Sequence, residues 1–428
     1  MEAHRSDRRR SLSRREFLRR AGMTGVALPS LAAILAACSN GNKAGGGTTG
    51  GGTGGGLQLA SPDHPVTLPI TDDNPPIADG LDVEAGPLKI FGYNDYIWKK
   101  VRNSFAETFK TPTPEYTVFD TPEEMIAKVQ ASGSDYDIIV SVTLENIGKL
   151  AQGGLIQPLN KSYLPNFSNV WQQLQSPFYD VGSRYSVPYT VYTTGIAWRN
   201  DLVPTDIASM DNPYDILFDP KYAGKVHLLN GSRDTLSAAL LRMGEDVSTT
   251  DASVLDEAKQ MLLDGAKTMN WAFDHTDYSE LGRWDIHHTW SGQVVYYQYY
   301  LPKDETIQQY SYLWPPKGSG GKSGILTNDM FAIPKGAANP VLAHTLINFL
   351  LDPHNALENY SYEGYQPPIE QFDNQKVVSD GLVPKNLANS LVSKEDFDQV
   401  PNAQYELELP PATNQLYQQI YEQVTGGV

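Results

Sequence analysis

Leu88-Lys89-Ile90-Phe91-Gly92-Tyr93-Asn94-Asp95-Tyr96 reads as a short β-strand that breaks at Gly92 into a polar, aromatic tip. A helix-like run follows from Ile97 to Phe109. In open α/β sheets, ligands collect at the carboxyl ends of strands, where the loops converge. Tyr93 and Tyr96 around Asp95 suit a ligand that is cationic and partly apolar. The carboxylate supplies the charge, and each ring face attracts an ammonium group by roughly 0.5–2 kcal/mol. An ordinary polar turn has the same composition, so the rest of the chain has to decide.

Outward from this stretch, strands and helices alternate. Glu115 to Phe119 reads as a strand, and Thr121-Pro122-Glu123-Glu124 opens a helix with a capping Thr, Pro in the first turn and early carboxylates. Tyr136 to Val140 is fit for a buried strand; Thr143-Leu144-Glu145-Asn146 caps the next helix, which stops at Gly153-Gly154. The alternation predicts a mostly parallel sheet covered on both faces. Tyr185 to Trp198 is strand-rich. Beyond it the pattern restarts: a strand at Val226 to Leu229, helices at Ser232 to Met243 and Ala252 to Lys267, a strand at Ile286 to Trp290, an aromatic helix at Gln293 to Tyr300. This predicts a second α/β lobe. A strand from Ile325 to Pro334 and a helix from Pro340 to Leu351 follow, and no internal repeat is visible.

The first 38 residues read as an address. Ser13-Arg14-Arg15-Glu16-Phe17-Leu18-Arg19 matches the twin-arginine export signal, and Leu35-Ala36-Ala37-Cys38 matches a lipobox whose cysteine is lipidated. Asn40 to Gly56 is nearly all Gly, Thr and Asn, and Leu57 to Pro87 carries Pro and Asp punctuation. Residues 39–86 are therefore expected to be a flexible tether. The whole chain of 428 residues has 33 basic and 50 acidic residues. The address holds eight and three of these, which leaves 25 and 47, a formal net of −22. Such a surface disfavours nucleic acid and suits cationic solutes. One cysteine excludes an intramolecular disulfide and a Cys-based zinc site. No apolar stretch reaches the roughly 20 residues of a membrane span.

Catalytic and metal motifs do not assemble. Gly318-Ser319-Gly320-Gly321-Lys322-Ser323 has Pro316 where a phosphate loop needs its first glycine, and reads as a surface loop. His275, His287 and His288, with Asp274, Asp277 and Asp285, offer no i, i+4 pair to align ligands on one helical face. Neither a Gly-x-Ser-x-Gly elbow nor a Gly-x-Gly-x-x-Gly turn after a strand is present.

From about Pro87 onward the chain resembles the spermidine/putrescine-binding proteins of bacterial ABC importers. The resemblance is carried, in order, by FGYNDY, YDIIVSVTLENIGKLAQGGLIQPLNKSYLPNFSNV, YSVPYTVYTTGIAWRN, DPKYAGKVHLL, TWSG and NDMFAIPKGAANP. It implies a two-lobed, periplasmic-binding-protein-like α/β fold of type II, each lobe a mixed β-sheet flanked by helices, with a ligand cleft between. Lobe 1 is expected over 87–193 and 330–365, lobe 2 over 194–329 and 366–428. The crossings are expected near Tyr192–Gly195, near Leu326–Asp329 and after Tyr365. Carried over by position, Tyr93 falls where the family has a Trp, Asp95 on its acidic residue and Tyr96 on its tyrosine, with Asn94 between them. Asp234 matches a carboxylate at one end of the ligand, Trp290 a stacking ring, Asp329 the carboxylate most tied to ammonium recognition, and Tyr365 another wall. The departures are Thr327 for a second Trp, Leu144 for a tyrosine, Val142 for a serine and Gly231 for an acidic residue.

The resemblance therefore implies a monomeric binding protein, lipid-anchored at Cys38 on the outer or periplasmic face, that delivers a small polyamine-like cation to ABC permease subunits. It implies no enzyme activity, cofactor or metal. The same fold with another solute (an amino acid derivative, a sugar or a metal-bound anion) is the nearest rival. An exported hydrolase and a purely structural lipoprotein are further ones.

Overall fold

The computed structural model describes residues 58–132, 135–274, 284–314, 324–398 and 403–426. The export signal, Cys38, the Gly/Thr-rich stretch to Gly56, His275, Asp277 and the Gly318 to Ser323 loop lie outside the described residues.

Along the chain come β1 (Lys89–Gly92), α1 (Lys99–Phe109), β2 (Glu115–Val118), α2 (Pro122–Ser132), β3 (Ile138–Thr143), α3 (Leu144–Gln152), β4 (Ile156–Gln157) and β5 (Val187–Arg199). Then follow β6 (Val226–Leu229), α4 (Ser232–Met243), α5 (Ala252–Met269), β7 (Ala272–Asp274), β8 (Ile286–Trp290), α6 (Ser291–Tyr296), β9 (Tyr310–Leu313) and β10 (Ile325–Pro334). The last helices are α7 (Pro340–Leu350), α8 (Pro353–Glu363), α9 (Asn374–Ser379), α10 (Lys394–Asp398) and α11 (Pro411–Thr425).

Local chemistry explains where several of these begin. Before α2, the Glu124 N–H donates to Thr121 Oγ1 (3.2 Å) while the Glu124 carboxylate accepts from the Asp120 N–H (3.0 Å). That reciprocal pair closes the first turn. Thr143 stands at the N-cap of α3 but does not cap it. Its hydroxyl engages the side chains of Glu145 (3.5 Å) and Asn146 (2.8 Å) instead. The aromatic helix expected over 293–300 starts earlier, at Ser291, and passes into a tight turn at Tyr297–Tyr299.

The strands form one mixed sheet in the order β2-β1-β3-β10-β5-β8-β6-β7, with β4 on β10 and β9 on β5. The flanks are parallel, as expected, but the centre is antiparallel: β10 runs against β3, β4 and β5, and β5 against β8 and β9. Strand direction is set by long-range pairing, which alternation along the chain does not encode. The two halves of the sheet are joined through β5, whose Val187–Thr194 pairs with β10 and whose Thr194–Arg199 pairs with β8 and β9. Gln366 bridges to Val191 and Gln404 to Ile325, so the chain after Tyr365 runs beside both strands there.

In the first half, β1 and β3 are buried on both faces. Ile90, Ile138 and Val140 pack into one core, and Phe91, Ile139 and Val142 into another beneath α2 and α3. A third core gathers α4, α5 and α11 around β6. Residues 58–86 depart from the flexible tether expected of them. Val66 and Leu68 are buried in the core under α3. Asn74 Nδ2 donates to the Ile156 carbonyl (2.8 Å), and the Glu84 carboxylate accepts from the backbone N–H groups of Val341 and Leu342 at the start of α7 (3.2 and 2.7 Å). Pro and Asp punctuation marks a chain without regular structure; it does not say whether a few apolar residues anchor it.

Candidate functional site

Asp329 lies at the most irregular point of the sheet. The register of β10 slips against β5 between Asp329 and Met330, and against β3 between Met330 and Phe331. Opposite, Ser141 of β3 takes a left-handed φ of 77°. Such bulges re-aim side chains and cluster beside functional sites. Asp329 is only 2% exposed. Its carboxylate accepts from Tyr96 Oη (2.8 Å) and Tyr192 Oη (2.9 Å), and Thr190 Oγ1 in turn lies 2.6 Å from Tyr96 Oη. Burial pushes the Asp329 carboxyl up to about 7, against the opposing pull of the two hydroxyls. Burial and that nearby carboxylate push the Tyr93, Tyr96 and Tyr192 phenols up, so they stay neutral donors.

Around this centre, one cleft is lined by all eight of the expected ligand-binding residues: Tyr93, Asn94, Asp95, Tyr96, Asp234, Trp290, Asp329 and Tyr365. Tyr365 meets Tyr96 and Tyr192 edge to face, with ring centres 5.1 and 5.4 Å apart, and Trp290 stands 6.4 Å from Tyr192. Gly292 of TWSG is where it must be, because a Cβ there would fall 2.4 Å from the Tyr365 ring. Asp95 takes a left-handed φ of 54°. Its Oδ2 faces the hydroxyls of Tyr296 and Tyr300, at 3.1 and 3.3 Å.

The opposite wall is built from the first turn of α4, the start of α3 and the stretch before α11. Asp234, Glu145 and Glu406 line it with Arg233. Arg233 is tied down by the Leu407 carbonyl and Ser248 Oγ (both 2.9 Å), lies over the Tyr417 ring, and reaches Glu145 at 3.5 Å. Burial, then the neighbouring carboxylates Glu406 and Glu145, push the Asp234 carboxyl up, and Arg233 only partly offsets them. Burial likewise pushes Glu406 up to about 7, and its Oε1 is buried without a partner.

Sequence reading missed Glu363, Tyr192, Glu145, Arg233, Glu406 and Tyr296, which also line the cleft. Glu363 carried a usable signal, an acidic residue at the negative end of a helix next to Tyr365. Of the four departures, only Gly231 lines the cleft; Leu144 and Val142 point into the core under α3. His287 and His288 are fully buried, and burial pushes both down to about 3, so they are neutral. No group of three potential metal ligands occurs among the described residues.

A large mixed sheet with its ligand-sized cleft at the strand ends, between two halves joined by shared strands, defines a two-lobed periplasmic-type binding protein. The family described as bacterial extracellular solute-binding protein matches residues 102–385, and the chain belongs to it. Among curated proteins, the putrescine/cadaverine-binding protein of Pseudomonas aeruginosa is 29% identical over 282 residues, covering 64% of this chain and 77% of that protein. The spermidine/putrescine-binding periplasmic protein of Escherichia coli is 27% identical over 318 residues, covering 73% and 84%. Among solved structures, a putative spermidine/putrescine ABC transporter protein from Listeria monocytogenes superposes with a TM-score of 0.66 at 24% identity, covering 80% of this chain and 99% of that one. At that identity it speaks for the fold.

Proposed function

We propose that this protein is the solute-binding component of an ABC importer, that it captures a polyamine of the putrescine or spermidine kind in its cleft, and that it hands it to membrane permease subunits. The observation that carries this is the charge of the cleft. Its lining includes eight carboxylates (Asp95, Asp120, Glu123, Glu145, Asp234, Asp329, Glu363 and Glu406) and one guanidinium, Arg233. Asp329 and Glu363 among them are buried, and a buried carboxylate is costly unless something cationic pairs with it. A diamine or triamine supplies that cation, and its methylenes fit the rings of Tyr93, Tyr96, Trp290 and Tyr365. The polyamine-binding relatives support the same reading.

In this reading Asp95, Asp234 and Asp329 accept charge-assisted hydrogen bonds from the ligand's ammonium groups. The lobes comprise 87–193 with 330–365 and 194–329 with 366–428, and they close by bending where β5 and β10 run side by side. The job is recognition, with the ligand returned unchanged. The protein leaves the cytoplasm by the twin-arginine route and works as a monomer outside the cell membrane, held there by a lipid on Cys38.

The test is a thermal shift with putrescine, cadaverine, spermidine, spermine, agmatine and arginine, with a sugar and sulfate as controls. A ligand at a thousand times its dissociation constant stabilises the native state by about 4 kcal/mol. A rise with one or two polyamines, absent in Asp329→Asn, is expected. A flat response to every amine with a rise for a control would overturn the assignment.

A further inference from the structure

Glu363 is the last residue of α8, lines the cleft and is only 3% exposed. A helix C-terminus is the negative end of the macrodipole, the worst place on a helix for a carboxylate. The negative charge of Asp329 works against it as well. Neither carboxylate has a Lys, Arg or His partner among the described residues. Among the described residues Glu363 accepts from the Tyr365 N–H (2.9 Å) and Asn359 Nδ2 (3.4 Å), and Asp329 from the Tyr96 and Tyr192 hydroxyls.

The fold nevertheless holds Glu363 in place. Gly364 takes a left-handed φ of 75°, and a Cβ there would stand 2.6 Å from the Gly292 carbonyl. The end of α8 and the start of α6 thus meet backbone to backbone, and this fixes Glu363 and Tyr365 together at the cleft. Two carboxylates, each buried with neutral donors alone, mark the inner end as incomplete without a cation.

We infer that Glu363 and Asp329 together hold one terminal ammonium of the ligand, so that the inner end of the cleft selects a primary amine over an N-methylated one. This rests on the polyamine reading. A primary ammonium offers three N–H donors, enough for both carboxylates, whereas a dimethylated one offers a single donor and adds bulk against the rings.

In the empty protein a proton takes the ammonium's place. Burial pushes the Glu363 and Asp329 carboxyls up. The other titratable groups facing the pair are Glu145 at the start of α3, whose charge adds to the upward push on Asp329, and the phenols of Tyr93 and Tyr96 after β1, Tyr116 on β2, Tyr189 and Tyr192 on β5, Tyr360 on α8 and Tyr365 just after it. The phenols of Tyr93, Tyr96, Tyr116, Tyr189, Tyr192 and Tyr360 are pushed above their ordinary range and do not exchange protons near neutrality. Capture of the ammonium therefore expels a proton from the carboxyl pair to solvent.

The experiment is calorimetric titration of putrescine and of N,N,N′,N′-tetramethylputrescine at pH 7, in two buffers of different ionisation enthalpy. It compares the wild-type protein with Glu363→Gln, which keeps the volume and an acceptor for the Tyr365 N–H. Wild type is expected to bind putrescine with proton release and at least roughly 100-fold more tightly than the methylated diamine. Glu363→Gln is expected to lose at least roughly tenfold in putrescine affinity, to release fewer protons and to discriminate less. Equal binding of the two diamines by wild type would overturn the inference whether or not the variant folds, and so would a Glu363→Gln protein that binds and releases protons as wild type does. In both cases the polyamine reading stands. Wild type that binds no amine would sink that reading and this inference with it.

Discussion

The two ends of the cleft solve the same electrostatic problem differently. At the inner end, Asp329 and Glu363 are buried with only neutral hydroxyl and amide donors around them. At the opposite wall, Asp234, Glu145 and Glu406 share a cation that belongs to the protein, since Arg233 reaches Glu145 and lowers the cost of ionising the other two. A wall that carries part of its own counter-charge needs less from a ligand. An inner end without one waits for a cation. The ligand's ammonium should therefore be worth most at Asp329 and less at Asp234, although both are single carboxylates of the same type.

The largest effect expected is at Asp329. Asp329→Asn keeps the shape and an acceptor for one of the two tyrosine hydroxyls but removes the charge, and polyamine affinity should fall by a hundredfold or more, on the order of 3 kcal/mol. Asp234→Asn should cost about tenfold, because Arg233 already meets part of the charge there. Titrations of the two variants against one diamine read the ratio, and equal losses would break the comparison.

Next in size is pH. The Asp329 carboxyl sits up at about 7 in the folded, empty protein and near 4 in the unfolded chain. The folded state thus binds more protons between these values. This group's contribution is fully present below about pH 4 and lost as pH rises through about 7, a change of a few kcal/mol at most. The empty protein should melt at a lower temperature at pH 8 than at pH 5.5. A polyamine, which takes the proton's place, should give a larger thermal shift at the higher pH. A melting temperature that climbs with pH over this range would show that the inner carboxyls are ionised and already paired.

The smallest effect on binding is expected away from the cleft. Leu68→Ala removes a fully buried side chain of the segment laid under α3, which should cost about 2–5 kcal/mol of stability and leave ligand affinity within about twofold. A large change in affinity would mean that this segment is coupled to the cleft.

Legibility in the sequence followed the range of the interactions. Val226–Leu229, Ser232–Met243, Ile286–Trp290 and Ile325–Pro334 were readable to the residue, because alternation, caps and breakers are local. The antiparallel centre of the sheet was not, because partners such as Thr190 and Asp329 lie far apart in sequence and nothing local records their direction. Asp95, Asp234 and Asp329 were nominated with four rings because motif order carried them. Glu145, within TLENIG, draws its importance from burial and from neighbours on other elements, and Glu363 looks out of place only once the end of α8 is known. Residues 58–86 show the same dependence on distant partners: Val66 and Leu68 look unremarkable until a hydrophobic floor is placed beneath them.

The most direct test of the account is a crystal structure of the protein grown with putrescine at saturating concentration. The account predicts one terminal nitrogen within about 3 Å of the carboxylates of both Asp329 and Glu363, and the methylenes between the rings of Tyr93, Tyr96, Trp290 and Tyr365. A diamine bound outside the cleft, or one whose nitrogens leave Asp329 facing methylene groups, would contradict it.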